Sequence, residues 1–192
     1  MSTRRAVFLD KDGTVIENVP YNVDPSLIQL CEGAAEGLRL LAEAGYLLVV
    51  VSNQSGVARG YFPESAIGPV EARLRELLAE QGVALDGFRY CPHHPDGSVT
   101  AYAIACECRK PAPGMLSEAA RTLDIELSRS WMVGDIADDV EAGRRAGCRT
   151  VLIVRTEDEL PSPPPDVIAG NLAEAARRIL RADTATDLTH RV

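Results

Sequence analysis

Short, wholly apolar runs alternate along this chain with stretches whose apolar residues recur every three or four positions. Ala6 to Leu9 is apolar and ends in Asp10-Lys11-Asp12-Gly13. A short apolar run bounded by a turn signal predicts a buried strand. An irregular stretch, Ile16 to Cys31, follows; it is broken by Pro20 and Pro25 and reads as too polar for core. Ala34 to Ala44 carries Leu38, Leu41 and Ala42 on one helical face, and Gly45 stops it. Tyr46 to Val51 predicts a second buried strand, ending in the turn chemistry of Ser52-Asn53-Gln54-Ser55-Gly56. Pro63 and Glu64 open a helix to about Gln81, and Phe88 to Tyr90 is a short apolar piece. Pro113 starts a helix through Leu123, as Pro suits a first helical turn. Trp131 to Val133 and Thr150 to Val154 predict further strands, on either side of a helix over Ile136 to Ala146. Leu160 to Pro165 reads as an extended Pro-rich segment, and a last helix runs from about Leu172 to Leu180.

Strands alternating with helices predict an α/β fold, a mostly parallel sheet covered on both faces. In such sheets ligands bind beyond the carboxyl ends of the strands. Asp10, Ser52 and Asp135 each fall at such an end. At 192 residues the chain reads as a single domain over 1–182, with a polar, flexible tail over 183–192. The net charge of −8 disfavours nucleic acid and anionic membrane surfaces as partners. The charged start, Met1 to Arg5, lacks the apolar segment of a signal peptide. No apolar run approaches a bilayer's width. A cytoplasmic protein is expected, with a small-molecule ligand. With no coiled-coil seam, a monomer is expected.

Two stretches carry candidate chemistry. Asp10 and Asp12, side by side at a strand end, are costly unless a cation lies between them, and Mg2+ is the hard ion that takes oxygen ligands. Cys91-Pro92-His93-His94-Pro95, followed by Cys106-Glu107-Cys108, offers four nitrogen and sulfur ligands in two short clusters, the signature of a closed, structural zinc site. Spacing alone leaves His93 and His94 as equal candidates. Zinc would organise the loop 91–108, which is too polar to fold by itself.

Asp10-Lys11-Asp12-Gly13-Thr14 after an apolar strand resembles the first motif of the haloacid dehalogenase (HAD) superfamily of phosphatases. The resemblance implies a three-layer Rossmann-like fold, with Asp10 as the nucleophile that forms an aspartyl-phosphate and Asp12 as the general acid and base. Val51-Ser52-Asn53 is similar to the second motif, Arg109-Lys110-Pro111 to the third, and Gly134-Asp135 with Asp139 to the fourth. Ser52 and Lys110 would then hold the phosphoryl oxygens. Mg2+ would be bound by Asp10, Asp135 and the backbone carbonyl of Asp12.

The Cys-Pro-His-His-Pro and Cys-x-Cys-Arg-Lys-Pro segments, with Asn18-Val19-Pro20-Tyr21 and Ser52 to Gly56, resemble one family within it, the D-glycero-D-manno-heptose 1,7-bisphosphate phosphatases. By position the resemblance implies zinc on Cys91, His93, Cys106 and Cys108, substrate reading by Arg109, and Asn18, Val19, Pro20 and Tyr21 at the entrance. Asn53, Gln54 and Ser55 belong to the same substrate-binding set. It also implies no large cap domain and a role in making nucleotide-activated heptose. A bisphosphate needs a second anion pocket, for which Arg59 and Arg109 are candidates. Ile136 departs from the Lys common in that family, which keeps histidinol phosphate open as a substrate. A zinc-ribbon binding module is the non-enzyme alternative, and the acidic net charge speaks against it.

Overall fold

The computed structural model describes residues 4–154 and 161–189. Among these, six strands form one sheet: β1 (Ala6–Leu9), β2 (Leu47–Asn53), β3 (Gly87–Cys91), β4 (Trp131–Gly134), β5 (Arg149–Ile153) and β6 (Val167–Ala169). Their order is β3-β2-β1-β4-β5-β6, and every pairing is parallel. The helices are α1 (Ala34–Glu43), α2 (Ile67–Ala79), α3 (Gly114–Leu123), α4 (Ala137–Ala146) and α5 (Leu172–Thr189).

The two-residue period of a strand sorts the core into two layers. Val7 and Leu9 of β1 pack with Leu48, Val50, Trp131 and Val133 against the apolar stripes of α1, α2 and α5. Ala6 and Phe8 point the other way, with Val49, Val51 and Met132, against Met115, Leu116 and Ala119 of α3 and Ala142 of α4. Strands buried on both faces read as continuous apolar runs, which is why β1 and β2 show no alternation in sequence. The result is a three-layer α/β fold, with no separate cap domain among the described residues. No helix among the described residues is long and apolar enough to cross a membrane.

Three elements differ from the sequence expectation. The stretch Ile16 to Cys31 is not excluded from the core: Ile16, Ile28 and Cys31 are buried, and Ile16 bridges to Leu30. Three inward anchors suffice to pin a polar loop. β6 was not anticipated, because three residues carry no periodicity to read. The last helix continues past Leu180 to Thr189, and Asp183 on it binds Arg5, Trp131 and Arg149. Leu160 and residues 190–192 lie outside the described residues, while Pro161 to Pro165 form neither helix nor strand.

Candidate active site

The sheet register brings the functional residues together. Leu9 pairs with Val50 and Val133, so the chain leaves β1 between the ends of β2 and β4. Asp10 N–H still donates to Val133 O at 2.9 Å, which fixes the first carboxylate at the sheet edge. Beyond it the chain folds back, with Val15 and Ile16 N–H both donating to Lys11 O. Gly13 sits at φ +88°, and a Cβ there would stand 2.1 Å from Asp135 Oδ2. Only glycine meets both demands at once. Lys11, nearly fully buried, places its Nζ 3.1 Å from Asp12 Oδ1.

Lys110 occupies the middle. Its ammonium is buried, 2.5 Å from Asp10 Oδ1, 2.7 Å from Asp139 Oδ1 and 2.9 Å from Val51 O. Asn53 fixes the Lys110 backbone on both sides, donating to its carbonyl and accepting from its N–H at 3.1 and 3.0 Å. Burial alone would lower the Lys110 pKa. The carboxylates of Asp10 and Asp139 more than offset that, so the net shift is upward and the ammonium stays charged. Burial pushes the Asp139 carboxyl up as well, and Lys110 only partly opposes it. Asp139 Oδ2 also accepts from Ile136 N–H at the start of α4. Asp139 belongs to the fourth motif in sequence, and its pairing with Lys110 emerges only in the fold.

Asp12 stands apart from this cluster. Burial raises its pKa, with Lys11 opposing and Asp10 adding to the shift. Gln54 Nε2 lies 2.7 Å from Ser52 Oγ and 3.3 Å from Asp12 Oδ2, so one amide ties the predicted phosphoryl-binding hydroxyl to the predicted acid and base. A cavity of about 420 Å3 opens beside Asp12, between residues 18–22 and 53–56, with Phe62 and Ile136 completing it. A volume of that order suits a small ligand. Of the substrate residues expected from sequence, Asn18 to Tyr21 and Asn53 to Ser55 line it. Arg59 and Arg109 do not line it, and instead flank His94: Arg59 Nη2 is 3.1 Å from His94 Nε2. Partial burial, then the cations of Arg109 and Arg59, lower the His94 pKa.

Two clusters have the donor chemistry of metal sites. Carboxylate oxygens of Asp10, Asp135 and Asp139 lie within 4.8 Å of one another, an all-oxygen set that fits a hard cation such as Mg2+. Cys91, His93, Cys106 and Cys108 form the other. Its sulfur–sulfur separations are 3.1, 3.3 and 3.5 Å, and His93 Nδ1 stands 3.3 Å from Cys108 Sγ. Zinc–sulfur bonds of about 2.3 Å put tetrahedral sulfurs roughly 3.8 Å apart, so the four ligands need only a small expansion to take the ion. The structure places His93, not His94, in this cluster.

Comparison with known proteins agrees with that geometry. A family model for HAD-hydrolase-like proteins matches residues 107–175. The chain is 45% identical over 151 residues to the D-glycero-β-D-manno-heptose-1,7-bisphosphate 7-phosphatase of Yersinia pestis, covering 79% of this chain and 80% of that one. The chain belongs to the heptose bisphosphate phosphatase family. The Escherichia coli K12 member is 42% identical over 151 residues, with 79% of each chain covered. The crystal structure of the D,D-heptose 1,7-bisphosphate phosphatase from B. bronchiseptica, complexed with magnesium and phosphate, superposes with a TM-score of 0.78 at 30% identity, covering 93% of this chain and 99% of that one.

As a heptose bisphosphate phosphatase, the chain is a phosphoric monoester hydrolase. Its buried carboxylate–lysine cluster and its cavity adjoin through Asp12 and Gln54. Sequence reasoning missed Lys11 and the bridging role of Gln54. The signal for Lys11 was present, since a cation between two strand-end carboxylates has little choice but to pair with one of them. Gln54 was assigned to substrate, and only the fold shows that its amide faces Ser52 and Asp12.

Proposed function

We propose that this protein is a Mg2+-dependent phosphatase that removes the 7-phosphate of D-glycero-β-D-manno-heptose 1,7-bisphosphate. The observation that carries the chemistry is the convergence of Asp10 and Asp139 on the buried ammonium of Lys110 at the strand ends. The substrate follows from the relatives named above. Bound Mg2+, held by Asp10, Asp135 and the Asp12 carbonyl, supplies positive charge that offsets repulsion between a phosphate dianion and a carboxylate. Asp10 attacks phosphorus in line, forming a P–O bond as the bond to the sugar oxygen breaks. Lys110 and Ser52 hold the equatorial oxygens while charge develops on them. Asp12 gives its proton to the leaving alkoxide, then takes one from the water that hydrolyses the aspartyl-phosphate. Its upward shift favours the protonated form the first step needs.

Zinc on Cys91, His93, Cys106 and Cys108 supplies structural support to the loop that leads directly into Arg109 and Lys110. Arg109 and Arg59, gathered around His94, supply positive charge for the second phosphate. We place the enzyme in the cytoplasm, as a monomeric single domain, in the supply of nucleotide-activated heptose. Phosphate release with Mg2+ from both heptose bisphosphate anomers, histidinol phosphate and hexose bisphosphates tests the reading. The β-heptose bisphosphate is expected to give the highest kcat/KM. Preference for histidinol phosphate would replace the substrate and leave the catalytic roles standing.

A further inference from the structure

The cavity has an end that the chemistry above does not use. Asp10 and Lys110 lie outside its lining, while Asp12 lies within it. Because Asp12 is proposed to protonate the leaving oxygen, the phosphoryl group faces the buried cluster and the alcohol fills the cavity. Tyr21 lines that alcohol end, with half of its surface exposed (50%). It holds a backbone conformation unusual for its type, φ +55°. Val19-Pro20-Tyr21-Asn22 closes a turn through Asn22 N–H to Val19 O at 3.1 Å. With Pro second and a left-handed third residue this is the pattern of a type II turn, where glycine or asparagine is the usual third residue. A tyrosine there costs backbone energy that glycine would not, so what the ring does must outweigh the strain.

The ring meets one other aromatic. Tyr61 packs edge-on against Tyr21, with centroids 4.6 Å apart and planes at 83°. Tyr61 is itself exposed (60%) and is absent from the cavity lining, so it braces Tyr21 from outside. Its own backbone is fixed: Tyr61 N–H donates to Gly56 O at 2.9 Å, and the preceding residues are held by the loop 91–108. Val99 N–H donates to Ala58 O at 2.9 Å, Ser98 Oγ to Arg59 O at 2.9 Å, and Ala58 N–H to Pro92 O at 3.2 Å. The loop bearing the zinc ligands thus supports the segment that supports Tyr21.

We propose that Tyr61 is a positioning residue that holds the Tyr21 ring as one wall of the leaving-group cavity, so that the pair selects esters of a sugar-sized polyhydroxylated alcohol. The C–H face of such an alcohol packs on the ring, while its hydroxyls reach Asn18, Asn53 and Ser55 in the same lining. This deepens the function proposed above and rests on it.

Steady-state kinetics of Tyr61→Ala, Tyr61→Phe and Tyr21→Gly decide it. An edge-to-face pair contributes enough that Tyr61→Ala should raise KM for the heptose bisphosphate roughly five- to ten-fold, with kcat within about two-fold of wild type. Tyr61→Phe keeps the ring and should restore KM. Tyr21→Gly removes the ring while relieving the turn, so it should stay folded and raise KM at least as much. Unchanged KM in Tyr61→Ala, a Phe variant as impaired as the Ala variant, or a loss confined to kcat overturns the proposal. The wild-type substrate panel keeps the two readings separate. If another sugar phosphate outperforms heptose bisphosphate, the function proposal falls, and the same KM comparison on that ester still decides the role of Tyr61.

Discussion

Asp10 and Asp12 are two residues apart in sequence and meet different surroundings. Asp10 sits against the Lys110 ammonium, whereas burial dominates at Asp12 and raises its pKa. The roles proposed for them, nucleophile and acid, call for such a difference in surroundings. Replacing Asp10 with Asn should lower kcat by about 10^4-fold or more, in line with nucleophile removal elsewhere, in a protein that still folds by circular dichroism. Asp12 carries a prediction about pH and stability in metal-free protein. Its folded pKa lies above the unfolded value of 3.8, so the folded state binds the proton more tightly. The stability this contributes is full below pH 3.8 and is lost as pH rises through the folded pKa. Asp12→Asn, which cannot ionise, should therefore unfold at higher denaturant than wild type at pH 7, and the difference should vanish near pH 3. Equal midpoints at both pH values would show that Lys11 already compensates the buried charge.

At the scale of elements, the motifs were legible because each sits where a strand stops. Apolar runs end abruptly at Asp10, Ser52 and Asp135, and a parallel sheet must gather those ends on one edge. The gathering of Cys91, Cys106 and Cys108 with a histidine was legible because two clusters of soft donors have few other uses in a chain of this composition. What sequence could not supply was the approach of one loop to another. Asn53 pairs with Cys91 across β2 and β3, which seats the first member of the cysteine–histidine cluster beside the residue that clamps Lys110. Arg59 against His94 and Tyr61 against Tyr21 are likewise contacts between loops distant in sequence. The loop 91–108 thus adjoins both the segment that holds Lys110 and the segment that holds Tyr61. Stripping the metal, or Cys106→Ser, should leave the far-ultraviolet signal largely intact, because the core between sheet and helices is built mainly from strand and helix residues, with Cys91, Cys106 and Cys108 reaching it from that loop. Amide exchange over residues 91–108 should accelerate and turnover should fall well beyond any loss of folded protein. Full turnover in folded, metal-stripped protein would separate the loop from the chemistry.

Over the whole molecule, the two edges of the sheet do different work. The proposed catalytic groups crowd the carboxyl ends of the strands, while the opposite edge carries a polar cluster centred on Asp183 of α5. Its carboxylate meets Arg5 at 3.0 Å, Arg149 at 3.2 Å, the Trp131 indole N–H at 3.3 Å and the Tyr46 hydroxyl. These partners come from the starts of β1, β2, β4 and β5, so one side chain fastens the last helix across four strands. Arg149 lies over the Trp131 ring and Arg5 over Tyr46, 3.8 and 4.1 Å from the centroids, which orients both guanidinium groups. Burial, then Asp183, pushes the Tyr46 phenol upward, so it remains a donor at any physiological pH. No periodic apolar stripe marks this end of α5, and for that reason the helix looked finished near Leu180. Asp183→Ala removes the shared acceptor and leaves two half-buried cations and two donors to find water. A loss of about 2 to 3 kcal/mol is expected, which lowers Tm by roughly 4 to 12 °C in a domain of this size. Because the cluster lies across the sheet from Asp10, kcat and KM measured well below the new Tm should match wild type. A variant that kept its Tm would mean that α5 is held by its apolar face alone; one that lost kcat while still folded would mean that the two edges are coupled through the strands.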